Sequence, residues 1–168
     1  MILQNKKLII MKDINYMYKQ TFFIVCLIFF PLNVWGLFDI NKSYPNPELK
    51  ADKVVSLQIL AMQQNDEFDN GIEVTFRFAS PQNKLQTGPL SNFIMLVKNI
   101  SYSPLLNHLD ANYLDLKVEG NQAVQEVIIT TSKGYRKGFR FLLSIQQGKQ
   151  FKNCWMTDAV IPFDVKEA

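Results

Sequence analysis

The side chains able to do chemistry are few in this chain of 168 residues, and three of them lie in its second half. His108 is the single histidine, and its imidazole could take up or release a proton near neutral pH. Asp158 shares its strand parity with the apolar Met156 and Val160, which favours an inward-facing carboxylate over a solvated one. Cys154 is the one cysteine after residue 36, and a lone cysteine is more typical of a packed small side chain than of a nucleophile.

The motifs of common enzyme classes are missing from the sequence. It holds no Gly-x-Ser-x-Gly motif and no glycine-rich phosphate-binding loop. One histidine, two cysteines and no dense cluster of carboxylates leave no evident ligand set for a metal ion. We therefore expect no cofactor and no metal, and a binding role is better supported than a catalytic one.

The formal charge of +3 raises the question of a nucleic-acid partner. Residues 1–36 hold four lysines and one aspartate, so they carry the whole excess, and residues 37–168 hold 14 basic and 14 acidic side chains. The densest basic run flanks two glycines, which is typical of a solvated hairpin with protective charges at a sheet edge. This run consists of Lys133, Arg136, Lys137 and Arg140. We expect no nucleic-acid partner.

Residues 1–36 predict a signal peptide. Lysines precede an uncharged run at 21–30, and the small residues Val34 and Gly36 then stand at the −3 and −1 positions of a cleavage site. Retention as an anchor is the alternative, but residues 22–37 would extend only about 24 Å as a helix against a bilayer core of about 30 Å. We expect a periplasmic or secreted protein, with membrane contact only through an uncleaved N-terminal segment. The start of translation stays open among Met1, Met11 and Met17.

The rest of the chain is long enough for one domain with its own core. We divide it into a lead at 37–47, a single domain at 48–163 and a tail at 164–168. Within 48–65, apolar side chains at spacings of three and four predict an amphipathic helix. Residues 80–83 predict a turn, and Pro89 predicts the first position of a second helix.

The second half predicts an antiparallel sheet. Alternating or β-branched stretches lie at 113–118, 124–131, 139–145 and 151–163, with turn residues between them. Helices followed by a meander indicate an α+β fold. Residues 72–78 are ambiguous, because Ile72, Val74, Phe76 and Phe78 alternate with polar residues as in a strand.

Four motifs make the chain resemble an uncharacterised family of bacterial and plastid domains, known only as a domain of unknown function. They are FASPQN at 78–83, TGPL at 87–90, YSPLLNH at 102–108 and CWMTD at 154–158. Asn107 stands where the family pattern leads us to expect glycine. The family is similar to the nuclear transport factor two-like, or cystatin-like, superfamily. This resemblance implies N-terminal helices packed on a curved antiparallel sheet that forms a cone with a pocket, and a short helix at 72–78.

The resemblance implies a pocket but no activity, since that superfamily includes isomerases, dehydratases and many non-catalytic binding or dimerisation modules. We place four residues in the pocket, where they would mix aromatic surface with a few polar groups: Tyr102, His108, Trp155 and Asp158. The favoured hypothesis is binding of a small apolar or amphipathic ligand or of a protein partner, with a homodimer left open. The alternative is an isomerase-like or dehydratase-like enzyme in which Asp158 or His108 is the general base and a tyrosine stabilises an oxyanion.

Overall fold

Four α-helices precede five strands in the computed structural model, which describes residues 39–165. The helices are α1 (Ala51–Gln63), α2 (Asn70–Arg77), α3 (Pro81–Thr87) and α4 (Leu90–Val97). The strands are β1 (Asp110–Tyr113), β2 (Lys117–Glu119), β3 (Gln122–Thr130), β4 (Arg136–Ile145) and β5 (Trp155–Phe163). This order confirms the predicted α+β class. The predicted signal peptide lies outside the described residues.

Helix α1 carries the apolar stripe that the sequence predicts. Val54, Val55 and Ile59 are almost fully buried, and Leu57 and Ala61 bury a second side of the same helix. The helix is shorter than the pattern at 48–65, because Lys50 already has an extended backbone and Gln64 ends the helical hydrogen bonds. Two-sided burial makes α1 the central helix of the layer.

Residues 72–77 belong to helix α2, Phe78 is its C-cap, and this segment is not a strand. This helix contacts both α1 and α4, so its buried side chains cover a broad face of the helix. Arg77 Nη2 lies 2.7 Å from Glu73 Oε1, an i,i+4 ion pair that a helix permits. Packing on two sides explains why a helix shows the alternating pattern of a strand.

The expected turn at 80–83 is wrong, because these residues begin helix α3. Ser80 has an extended backbone and its Oγ accepts a hydrogen bond from Asn83 N at 3.2 Å, while Pro81 takes the first helical position. Both are strong helix-start signals. Pro89, in turn, is the N-cap of α4, which begins one residue later than predicted.

The sheet is an open antiparallel meander of β3, β4 and β5, with β1 and β2 both paired to β3. The single strand predicted at 113–118 is therefore wrong. Tyr113 pairs with Val127, and Lys117 pairs with Val124. Three residues separate Tyr113 from Lys117, whereas only two separate Val124 from Val127 on β3. The extra residue bulges out and divides the edge into two short strands.

The core lies between the helices and one face of the sheet. Alternate residues of β3 and β4 point into it, among them Val127, Phe139 and Phe141. The lead also contributes, since Ile40 is buried in the same cluster. None of the helices within residues 39–165 is long and apolar enough to cross a membrane.

Candidate functional site

A cavity of about 190 Å³ lies between the helices and the sheet. Its apolar wall consists of Ile59, Met62, Phe93, Leu96, Val97, Leu105, Phe141, Ala159 and Val160. Its polar groups belong to Gln58, Thr75, Asn83, Gln86, Thr87, Tyr102 and Asp158. An apolar wall with a few placed polar groups is the usual composition of a small-molecule site.

A buried hydrogen-bond network between α1, α2 and β5 holds the polar side of the cavity. Thr157 Oγ1 donates to Gln58 Oε1 at 2.6 Å, and Gln58 Nε2 donates to the carbonyl of Thr75 at 3.1 Å. Thr75 Oγ1 in turn donates to the carbonyl of Gly71 at 3.0 Å. Because all three side chains are buried, losing one partner would leave another group without a hydrogen bond. The network therefore fixes the helices relative to the last strand.

Hydrogen bonds from the segment at 78–83 hold helix α3 against β5. Thr157 N donates to the carbonyl of Phe78 at 2.9 Å, and Ser80 N donates to the carbonyl of Thr157 at 2.8 Å. Asn83 Nδ2 donates to that same carbonyl at 3.1 Å. These bonds explain how a surface-like sequence of serine, proline and asparagine becomes part of a buried wall.

Asp158 reaches the cavity through a β-bulge. Leu142 pairs with Ala159 and Leu143 with Thr157, so Asp158 is the extra residue between two ladder pairs. It is half-buried and lines the cavity with the next two residues of β5. The bulge interrupts the alternation of side chains along β5, on which the prediction of an inward-facing Asp158 depended.

Tyr102 lines the same cavity from the connection between α4 and β1. Its hydroxyl donates to the carbonyl of Val160 at 3.0 Å, and its ring lies 6.4 Å from that of Phe139. Burial raises the pKa of the Tyr102 hydroxyl, so this group stays protonated at neutral pH. The structure thus brings Tyr102 and Asp158 to one cavity.

His108 is buried, with 4% of its surface exposed, but it does not line this cavity. Its Nδ1 donates to the carbonyl of Leu105 at 2.8 Å, and its Nε2 is buried without a hydrogen-bond partner. Burial lowers the pKa of the imidazole and outweighs the Leu105 bond and the nearby Asp110 charge, which act the other way. His108 is therefore a neutral, structural side chain beside the core.

Trp155 also lies away from the cavity lining. It is half-buried at the start of β5, opposite Ile145, and packs against the hydrophobic core. Two of the four predicted pocket residues thus meet at the cavity, and His108 and Trp155 do not.

A known family model covers most of the chain. The model of the family described as Domain of unknown function (DUF4864) matches residues 46–167, which is most of the chain. The chain belongs to this family. No curated protein and no solved structure matches. The likeness to the nuclear transport factor two-like superfamily therefore stays a prediction.

In this DUF4864 domain, hydrogen bonds join the end of α1 to the segment at 102–108. Asn107 N donates to the carbonyl of Met62 at 3.0 Å, and the Asn107 amide lies 2.8 Å from the carbonyl oxygen of Asn65, which assigns its nitrogen as the donor. Asn107 has a φ of 49°, in the left-handed region that glycine and asparagine tolerate best. Asparagine thus tolerates the backbone conformation at a position where the family pattern led us to expect glycine.

Sequence reasoning missed most of the polar wall of this DUF4864 domain. Gln58 gave a signal, because a glutamine at this position interrupts the apolar stripe of α1 between Val54 and Met62. Asn83 and Thr87 gave none, since Asn83 lay in the predicted turn at 80–83 and Thr87 directly before the predicted second helix. A polar residue on an apolar helix face is thus the one clue that the sequence offered.

A second cleft of about 560 Å³ lies beside β2 and β3 and is less suited to a ligand. Two of its four charged residues neutralise each other, because Arg140 Nη2 lies 2.6 Å from Glu126 Oε1. Its other lining residues include the exposed Tyr113 and Leu114. Within residues 39–165, no group of histidine, cysteine or acidic side chains is arranged to hold a metal ion.

Proposed function

We propose that this domain binds a small apolar or amphipathic molecule in the cavity between its helices and sheet. The observation that carries the proposal is the lining, which combines many apolar residues with a few hydroxyl, amide and acidic residues. An engineered apolar cavity of about 150 Å³ binds benzene. The cavity of about 190 Å³ is therefore large enough for a fragment-sized ligand.

Thermal unfolding in the presence of a fragment library tests this proposal. A ligand that binds only the folded state raises the melting temperature, by several degrees at about 100 times its Kd. Leu96→Trp replaces a half-buried aliphatic side chain of the lining with a bulky indole ring and should abolish the shift. Leu85→Trp is the matched control, because Leu85 is 79% exposed on α3 and does not line the cavity.

Two outcomes would contradict ligand binding in this cavity. One is a library in which no fragment stabilises the unmodified protein. The other is a set of hits whose shifts survive Leu96→Trp, which would place binding elsewhere. Crosslinked protein partners together with an empty fragment screen would favour the protein-interaction hypothesis.

An enzyme of the isomerase or dehydratase kind is the second candidate, because Asp158 is an acidic residue in the lining of a largely apolar cavity. Such an enzyme needs a base together with a hydrogen-bond donor for the oxyanion. The Tyr102 hydroxyl already donates its hydrogen to the carbonyl of Val160, so it is not free to donate to an oxyanion. His108 lies outside the lining. Binding is therefore better supported than catalysis. Deuterium uptake from D₂O into carbonyl-containing hits, lost in Asp158→Asn, would favour the enzyme.

We also propose that the protein is exported and that residues 1–36 are removed. The support is the sequence of lysines, uncharged residues and small residues described above. Mass spectrometry of the secreted or periplasmic fraction should give a chain that begins at Leu37. A chain that begins at Met1, Met11 or Met17 and sediments with membranes would contradict cleavage.

A further inference from the structure

The hydroxyl groups that line the cavity have no hydrogen left to give to a ligand. A hydroxyl carries one hydrogen and two acceptor lone pairs. Each of the three lining hydroxyls donates to a backbone carbonyl at 3.0 Å: Thr75 to Gly71, Thr87 to Asn83 and Tyr102 to Val160. A ligand therefore meets these groups as acceptors.

Asp158 adds the strongest acceptor of the cavity. It is the only charged residue in the lining, and within residues 39–165 its side chain forms no hydrogen bond or ion pair. No lysine or arginine lines the cavity to neutralise it. A half-buried carboxylate without a partner favours a ligand that brings a positive charge.

Aromatic rings supply part of the apolar surface. Phe93, Tyr102 and Phe141 all line the cavity. Rings of this size offer a large apolar area to the body of a ligand. Exposed Gln86 and half-buried Asp158 lie where the lining reaches the surface, whereas Ile59 and Phe141 lie in the core. Gln86 and Asp158 thus lie towards the outer end of the cavity, and its inner part combines apolar side chains with the buried Gln58, Thr75 and Asn83.

We propose that the ligand of this cavity is a small organic amine or ammonium compound with an apolar body. Its cationic head lies at Asp158, and its body packs among the apolar side chains of α1, α4 and β4. This inference rests on the proposed function and adds the chemical class of the ligand. A fatty acid or another anion is disfavoured, because the lining offers it no cation and few free donors.

Matched triplets of fragments test the charge preference. Each triplet shares one body and differs in its head, as in 3-phenylpropylamine, 3-phenylpropanol and 3-phenylpropanoate. Calorimetric titration of the unmodified protein near neutral pH should give the amine an affinity roughly tenfold above that of the alcohol, as expected for a hydrogen bond to a charged group. The carboxylate should bind most weakly. Added salt should lower the affinity of the amine only.

Variants at Asp158 assign the preference to this carboxylate. Asp158→Asn should bring the amine down to the affinity of the alcohol, and Asp158→Glu should restore part of the difference. Asp164→Asn is the matched control, because this exposed carboxylate pairs with Lys137 at 2.6 Å and does not line the cavity. Circular dichroism checks that each variant is folded.

Different experimental results would overturn the amine preference and the proposed binding function. Alcohols or carboxylates that bind as tightly as amines, or an amine preference that survives Asp158→Asn in the folded variant, would overturn the inference. Neutral fragments that still bind, and that Leu96→Trp blocks, would keep the proposed function. Binding by no member of any triplet would remove both.

Discussion

The Thr157 hydroxyl donates a hydrogen bond of 2.6 Å to the Gln58 amide oxygen, although the two residues are 99 positions apart in the chain. Their side chains are 1% and 2% exposed, so water cannot replace either partner. The bond connects the first helix with the last strand beside the candidate ligand cavity. Its loss should therefore destabilise the fold and loosen the cavity wall.

We expect Thr157→Val to lower the free energy of unfolding by about 1–3 kcal/mol, because the isosteric side chain leaves Gln58 Oε1 buried without a donor. Urea denaturation measures this change. Thr130→Val is the control, since the half-buried Thr130 forms no side-chain hydrogen bond within residues 39–165. Equal effects of the two substitutions would show that the Gln58 bond contributes nothing.

The fold could be predicted where one local pattern has one structural meaning. Apolar spacing marked α1, and β-branched stretches with intervening turns marked β3, β4 and β5. The pattern at 72–78 had two meanings, and its helix follows from packing against both α1 and α4. Long-range packing of this kind leaves no local signal that distinguishes a strand from a two-sided helix.

The candidate site was predictable in chemistry but not in geometry. Asp158 and Tyr102 were chosen from their residue types, and both line the cavity. Yet Asp158 lies on a β-bulge, and no residue type in the sequence indicates where the strand pairing shifts by one residue. His108 was the plainest candidate by chemistry, but its ring bonds to Leu105 outside the cavity lining.

Gly71→Ala should destabilise the domain by roughly 1–3 kcal/mol through overpacking. An added Cβ at Gly71 would collide with the backbone carbonyl of Ala61, where α2 crosses α1, and backbone cannot move aside as a flexible side chain can. Chemical denaturation measures the loss. Gly148→Ala is the control, because an added Cβ meets no atom there and φ is −65°. An unchanged midpoint for Gly71→Ala would mean that the two helices can separate at little cost.

Cys154 should resist thiol reagents while the protein is folded. Its side chain is 4% exposed, and burial raises the pKa of the thiol, so both access and thiolate content are low. We expect Ellman's reagent to label Cys154 at neutral pH only after guanidinium is added, with a rate that follows unfolding. Immediate labelling of the native protein would contradict a purely structural cysteine.

The single histidine should make stability depend on pH. Burial lowers the pKa of His108 in the folded state below its ordinary 6.5, so the unfolded chain binds the proton more readily. Above the unfolded pKa the imidazole is neutral in both states, and as pH falls through and below that value the free energy of unfolding should decrease. Urea denaturation of the unmodified protein and of His108→Gln between about pH 7.5 and 5.5, where carboxylates titrate little, measures the effect. Because glutamine does not titrate, the variant should lose this decrease, and an equal decrease in both proteins would assign the pH dependence to other groups.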